Sequence, residues 1–147
     1  MDIANSDVLQ NQLNAQQMRT NERNKTLLDR ADDLLTASSQ YKDALYIHGT
    51  EFIASEHSSK VSAFPVSVAM MGLKPTLAIY HKNAHSVVGL IAEMLILDNK
   101  IDGYQDYEPA ERFVNYAFEN YSEEFKQAVI ENSLALKAVI RTFLKTE

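Results

Sequence analysis

Cysteine is absent from the 147-residue sequence. Without a thiol the chain has no disulfide framework, no thiolate nucleophile and no cysteine-based zinc site. Because disulfides are rare in reducing compartments, this composition favours an intracellular protein, and the expected location is the cytoplasm.

Long hydrophobic runs are also missing. No apolar run approaches the roughly 20 residues that a helix needs to cross a bilayer. Residues 1–26 lack the basic and then apolar order of a secretory signal peptide. The sequence therefore predicts a protein that is neither secreted nor membrane-spanning.

Glycine and proline are scarce, with four and three residues respectively. No alternating run of β-branched residues is bounded by turn residues, so helices joined by short loops are favoured over strands. A single core is sufficient for this length, since it buries roughly 70% of the unfolded chain's surface. The sequence predicts an all-α fold, a compact bundle of about five to six helices.

Large apolar side chains are few in residues 1–26, which are rich in Asn and Gln. This polar N-terminal arm is either frayed or a helix that lacks its own core. Residues 27–147 are expected to form one helical-bundle domain.

Apolar residues at helical spacing divide this domain into segments, with a long loop at Asn99 to Asp106. Pro at a first helical position, Gly after a last one and Ser at an N-cap supply most of the boundaries. The first three expected helices run from Leu27 to about Ser38, along Tyr41 to Ile53 with an interruption at Gly49, and from Phe64-Pro65 to Gly72. A fourth begins at Pro75, a fifth runs from about Ala84 to Leu95, and a sixth begins at Pro109. The last begins at the Ser122 cap and carries an apolar stripe of Phe125, Val129, Leu136, Val139, Ile140 and Phe143.

Signatures of catalysis are lacking. No Gly-rich phosphate loop follows a strand, and no Gly-x-Ser-x-Gly elbow occurs. The acidic pairs Asp32-Asp33 and Glu123-Glu124 are explained by solvation of a helix end or face. We expect no enzymatic activity and no cofactor.

His81 and His85 stand at i and i+4 and could share one helix face. This spacing suits a metal ion, but the Glu that a metalloprotease motif needs between the two histidines is absent. The alternatives are surface or capping histidines, and no metal is expected.

Charge of one sign is in excess, since 20 acidic residues against 14 basic ones give a net charge of −6. Spread evenly, this charge would repel nucleic acid, so any contact with a polyanion needs a local patch. Two lines of cations at helical spacing could supply it, although both could also be the solvated sides of amphipathic helices. The first basic line is Arg19, Arg23 and Arg30, and the second basic line is Lys126, Lys137, Arg141 and Lys145.

Two stretches resemble one family. The first stretch is Phe64-Pro-Val-Ser-Val-Ala-Met-Met-Gly72-Leu-Lys-Pro-Thr76-Leu-Ala-Ile-Tyr80, and it is similar to the pattern Pro-x-x-Ile-x-x-Asn-Gly-Leu-x-x-Thr-Leu-Ala-Phe. The second stretch is Phe125-Lys126 together with Leu134-Ala-Leu-Lys-Ala-Val-Ile-Arg141-Thr-Phe143, and it is similar to Tyr-Arg followed by Leu-Ala-Leu-Leu-x-Trp-Leu-x-Arg-Phe. Both patterns belong to the small helical subunit of the Cmr complex, the type III-B CRISPR interference machine. Met71 replaces the family's Asn, and Val139 replaces its aromatic residue.

This resemblance implies a non-catalytic subunit that stacks with copies of itself beside other subunits of the effector and faces guide RNA and target RNA. By position it implies RNA contacts for Lys82, Lys126 and Arg141. The charge argument adds Lys74, Lys137, Arg19 and Arg23 to the candidate RNA-binding residues. For the stacking surface, candidate anchors are the tyrosines Tyr104, Tyr107, Tyr116 and Tyr121.

A second interpretation needs no RNA. The chain could be a helical adaptor that binds another protein through its polar arm or an apolar groove. Charge reversal at Lys126, Lys137 and Arg141 separates the two interpretations, since only the first depends on those cations.

Overall fold

A computed structural model describes residues 3–144 and shows an all-α bundle, as predicted. Its helix count is slightly above the expected five to six because α2 is a single turn. Within this range the only β-type pairing is an isolated bridge between Tyr46 and Ile53. The helices are α1 (Ile3–Asp33, continued by a π-helical turn Leu34–Ser38), α2 (Lys42–Leu45), α3 (Ser55–Met71), α4 (Leu73–Asn83), α5 (His85–Leu97), α6 (Pro109–Glu119) and α7 (Glu123–Ile140, followed by a 3-10 turn Arg141–Phe143).

The centre of the bundle is α5, which packs against α4, α6 and α7. Almost every residue from Val87 to Leu95 is buried, and Glu93 is the helix's one acidic side chain. A helix that is apolar on all sides must be enclosed by its neighbours. This enclosure leaves the outer faces of α1, α3 and α7 to carry the polar residues.

The polar arm is not separate from the first helix, because α1 continues from Ile3 through Leu27 to Asp33. The first helix therefore begins well before the predicted Leu27. Side chains from 7 to 22 are exposed, and burial begins with Leu27 and Ala31. Of the two alternatives for the arm, the structure shows the helix without its own core.

The helix predicted along Tyr41 to Ile53 is wrong. Only α2 is helical, and the chain then turns at Gly49, whose φ of 76° lies in the left-handed region. Ile47 N donates to Phe52 O at 2.8 Å across this turn. The apolar residues thus reach the core from a turn, where the left-handed glycine breaks the helix.

The start predicted for the third helix is also wrong, because α3 begins at Ser55 and holds Pro65 in its interior. Pro65 is buried, so apolar packing offsets the backbone hydrogen bond that proline cannot make. The predicted end is confirmed. Gly72, at φ 95°, donates its N–H to Val68 O at 3.0 Å.

The later boundaries follow the local signals more closely. The fourth helix begins at Leu73, slightly before the predicted Pro75, and α6 begins at Pro109 as predicted. Ser122 caps α7, with its Oγ accepting from Phe125 N at 3.0 Å. Across residues 3–144, each helix is too short or too polar to form a transmembrane span.

Candidate nucleic-acid interface

Three residues of the second basic line lie on one flank of α7 and its 3-10 extension. Lys126 and Lys137 are half-buried, and Arg141 is exposed. Their offsets of 11 and 15 residues place them within an arc of about 60° around the helix axis. Lys145, the fourth residue of this line, lies outside the described residues.

The apolar stripe of α7 holds this flank in position. Phe125, Val129, Leu136 and Ile140 are buried, while Val139 and Phe143 pack partly buried against the core, which confirms the predicted stripe. Because the stripe fixes the rotation of the helix, the three cations face away from the centre of the core.

These three cations are free of ion pairs in the part of the chain that the structure describes. An unpaired cation keeps its full electrostatic attraction for an incoming phosphate, since no carboxylate has to be displaced first. The flank is therefore a local positive surface on a chain of net charge −6.

The first basic line has a different environment. Arg23 donates from Nη1 and Nη2 to the two carboxylate oxygens of Asp98 at 3.0 and 2.9 Å, and from Nε to Glu131 at 3.2 Å. Arg30 donates to the same Asp98 at 3.3 Å. Two of the three arginines in this line thus bind carboxylates of the bundle itself.

The pKa values of this cluster reflect the pairing. The hydrogen bond to Asp98 raises the pKa of Arg23 above its usual value. Burial alone would raise the pKa of Asp98, but hydrogen bonds from Arg23 and Asn132 outweigh it and hold that pKa below its usual range. The cluster is therefore an internal ion pair that joins α1 to the end of α5. Arg19, by contrast, is exposed and has no ion pair in the described chain.

The two lysines of α4 lie at opposite ends of that helix. Lys82 is exposed and forms no ion pair among the described residues. Lys74 is also exposed, and its Nζ lies 5.8 Å from the ring centroid of Phe118 and 5.7 Å from that of Tyr121. Both rings attract the cation through their negative faces.

The four candidate tyrosines do not form one surface. The Tyr104 ring lies 6.5 Å from both Tyr107 and Tyr116, and Tyr104 donates its hydroxyl to Glu119. Tyr121 is apart from this cluster and donates to Glu123 at 2.9 Å. Tyr107 and Tyr121 are exposed and are available as contact residues.

His81 and His85 do approach each other, with ring centroids 5.1 Å apart. His85 Nε2 lies 2.6 Å from Glu108 Oε1, a partner that the sequence spacing did not indicate. Among the described residues, no group of three or more His, Asp or Glu side chains has an arrangement that could hold a metal ion. The metal alternative therefore gains no support from this cluster.

Comparison of the chain with protein-family models, with curated proteins and with solved structures finds no match. A functional proposal therefore depends on the residues and geometry described above.

Proposed function

We propose that this chain is a non-catalytic small subunit of a type III-B CRISPR effector, which stacks along the backbone of the complex and contacts guide and target RNA phosphates. The observation that carries the proposal is the flank of α7 formed by Lys126, Lys137 and Arg141, which make no ion pair within residues 3–144. The resemblance of residues 64–80 and 125–143 to that family supplies the biological context.

A few cations are sufficient for such a subunit. Phosphate contacts fix the register and orientation of a protein on a strand but carry no sequence information. In an RNA-guided complex, base pairing with the guide supplies the sequence information. An acidic protein with one positive flank can therefore bind beside a basic backbone protein without binding nucleic acid over its whole surface.

Lys82, Lys74 and Arg19 extend the proposed contact set, because all three are exposed. We leave Arg23 out of the set. Its guanidinium is already bound by Asp98 and Glu131, and an RNA phosphate would have to break these bonds.

The adaptor interpretation is favoured by a different observation. The exposed part of α1 presents Val8, Leu9, Leu13 and Met18, each more than half exposed. Leu9 and Leu13 continue the helix face that Leu27 and Ala31 bury further along α1. Exposed apolar side chains that extend a buried face are typical of protein contacts, so this arm is the candidate surface for a protein partner.

Affinity capture from the native host tests the proposed function. Tagged wild-type protein should recover guide RNA together with larger partner proteins. The test variant neutralises the flank with Lys126→Gln, Lys137→Gln and Arg141→Gln. The matched control, Lys25→Gln with Lys42→Gln and Lys100→Gln, removes the same charge from other elements.

We expect the test variant to lose RNA recovery relative to the control. Recovery of the wild-type protein alone, without RNA or larger partners, would contradict the proposal. If both the wild type and the test variant recover the same protein partner, and no sample contains RNA, the adaptor interpretation is supported instead.

A further inference from the structure

The helices α3 and α4 present exposed apolar side chains. They form an antiparallel hairpin, since the Phe64 and Tyr80 rings lie 5.1 Å apart and Lys60 Nζ donates to Asn83 O at 3.1 Å. Met70 is 81% exposed, more than any other large apolar side chain in residues 7–144, and three others are about half exposed. We call this surface the hairpin face, and its apolar residues are Val66, Met70, Met71 and Ile79.

The hairpin face lacks the negative charge that is abundant elsewhere in the chain. No Asp or Glu occurs from His57 to Ala92, although the sequence contains 20 acidic residues. In these 36 positions the exposed charged side chains are Lys74 and Lys82 of α4. Exposed apolar side chains bordered by cations, without a carboxylate, are complementary to an acidic protein surface that carries an apolar contact residue.

The chain itself has such an acidic surface, formed by the loop before α6 and the end of that helix. Tyr107 supplies its apolar ring and is 49% exposed. The acidic side chains around it are exposed and form no ion pair within residues 3–144. We call this surface the loop face, and its residues are Asp102, Asp106, Tyr107 and Glu119.

Helix α6 separates the two faces. Lys74 Nζ of α4 lies 5.8 Å from the ring centroid of Phe118, whereas the Tyr104 ring of the loop lies 6.5 Å from that of Tyr116. Two residues of a helix differ in direction by about 200°, so Phe118 and Tyr116 point to nearly opposite sides of α6. The hairpin and the loop are therefore different surfaces of one molecule. Two different but complementary surfaces on one chain favour head-to-tail contacts, which repeat from copy to copy.

We propose that the hairpin face of one copy docks on the loop face of a second copy. This inference rests on the proposed function, in which copies stack, and it names the two surfaces that meet. Val66 and Met70 pack against Tyr107 of the second copy, and the opposite charges of the two faces attract them during approach. The cations on the flank of α7 belong to neither face, so docking leaves them free for RNA.

Sedimentation of the purified chain over a series of concentrations, without RNA, tests the docking. Val66→Asp with Met70→Asp changes the hairpin face, and Asp102→Lys with Asp106→Lys changes the loop face. The matched control is Leu13→Asp with Met18→Asp, which places the same two charges on exposed apolar residues of α1. All six positions are exposed, and circular dichroism verifies that each variant keeps its helices.

We expect the wild type and the control to associate increasingly with concentration. Each face variant alone should associate at least about tenfold more weakly, since the burial of one apolar side chain already contributes that factor. The two face variants mixed together should form one-to-one pairs, because each keeps the face that the other has lost. This rescue distinguishes a head-to-tail contact from a symmetric one.

Association that persists in both face variants, or that is lost in the α1 control, would overturn the assignment of the faces. The absence of pairs in the mixture would overturn the head-to-tail contact. A wild-type chain that stays monomeric, yet recovers guide RNA and larger partners from its host, would overturn the docking and leave the RNA-binding role standing. Rescue in the mixture by a chain that recovers no RNA would support the docking and contradict the proposed function.

Discussion

Asp98 joins three helices at one point. It lies directly after α5, and its side chain, 7% exposed, accepts hydrogen bonds from Arg23 and Arg30 of α1 and from Asn132 of α7. A buried carboxylate is costly without partners, and these donors offset that cost. These contacts join α1 to the bundle at Arg23 and Arg30.

Removing this charge should destabilise the fold. We expect Asp98→Asn to lower the free energy of unfolding at pH 7 by about 2 kcal/mol, because two arginines lose their partner while remaining partly exposed. Urea unfolding measures the loss. The control is Asp29→Asn, which disrupts an exposed pair with Lys25 and should cost less than about 0.5 kcal/mol. Equal losses in the two variants would show that the Asp98 cluster has no special role.

The same residue predicts a pH dependence. Because the pKa of Asp98 is lower in the folded state than in the unfolded chain, its contribution is complete above the unfolded value of about 3.9. That contribution is lost as the pH falls towards the folded pKa. Burial raises the pKa of Glu93 and gives the opposite slope, so the wild type is compared with Asp98→Asn, in which Glu93 is unchanged. The stability difference between them should shrink between pH 5 and pH 2.5, and parallel profiles would contradict this assignment.

At the scale of the helices, the ring of Tyr41 packs directly against α5 at Gly89. A Cβ added at Gly89 would lie 2.3 Å from the Tyr41 ring, so only glycine fits there. Tyr41 also accepts a hydrogen bond from Ala110 N at 3.0 Å, and burial raises its pKa to about 12. One tyrosine thus connects the turn before α2 to both α5 and α6.

Gly89→Ala tests this packing. Although alanine favours helices by about 1 kcal/mol over glycine, we expect a net loss of about 1–3 kcal/mol because the ring must move. The free energies of unfolding of Gly89→Ala, Tyr41→Ala and the double variant form the measurement. The alanine at position 89 should cost less once the ring is gone, and an unchanged cost would contradict the proposed contact.

Residues 1–14 are expected to be dispensable for stability. Deleting residues 1–14 removes no buried side chain that the structure describes and leaves two helical turns before Arg23. The free energy of unfolding should therefore change by less than about 0.5 kcal/mol, while the helical circular dichroism signal falls. A loss above about 2 kcal/mol would show that the arm packs against the bundle.

Local signals predicted some elements, and tertiary packing decided the others. Gly72, Pro109 and Ser122 act through their own backbones or side chains, so their boundaries could be predicted from sequence. The structure of the segment after Tyr41 could not be predicted in this way. Its apolar residues are spaced as in a helix, but they reach the core from a turn. Pro65 wrongly predicted a helix start, because its burial makes a proline tolerable inside α3.

The candidate site was predictable to a similar degree. The flank of α7 follows from the apolar stripe of the same helix, so its orientation was evident in the sequence. The ion pair of Arg23 was not evident in the sequence, since its partner Asp98 is 75 residues away along the chain.

At the scale of the whole molecule, the charge distribution carries the functional account. Under the proposed function, a chain of net charge −6 would bind a polyanion through the three cations on one flank of α7, which form no ion pair within residues 3–144, because the remaining acidic surface repels it. Such contact is electrostatic and releases counterions, so its strength must depend steeply on salt.

The most direct test is the salt dependence of single-stranded RNA binding by the purified protein. The phosphate contacts of Lys126, Lys137 and Arg141 should together contribute about −2 to the slope of log K against log salt. The variant with all three changed to glutamine should lose most of this slope and affinity, while the Lys25, Lys42 and Lys100 control keeps both. Equal affinity and slope in the two variants would contradict the account.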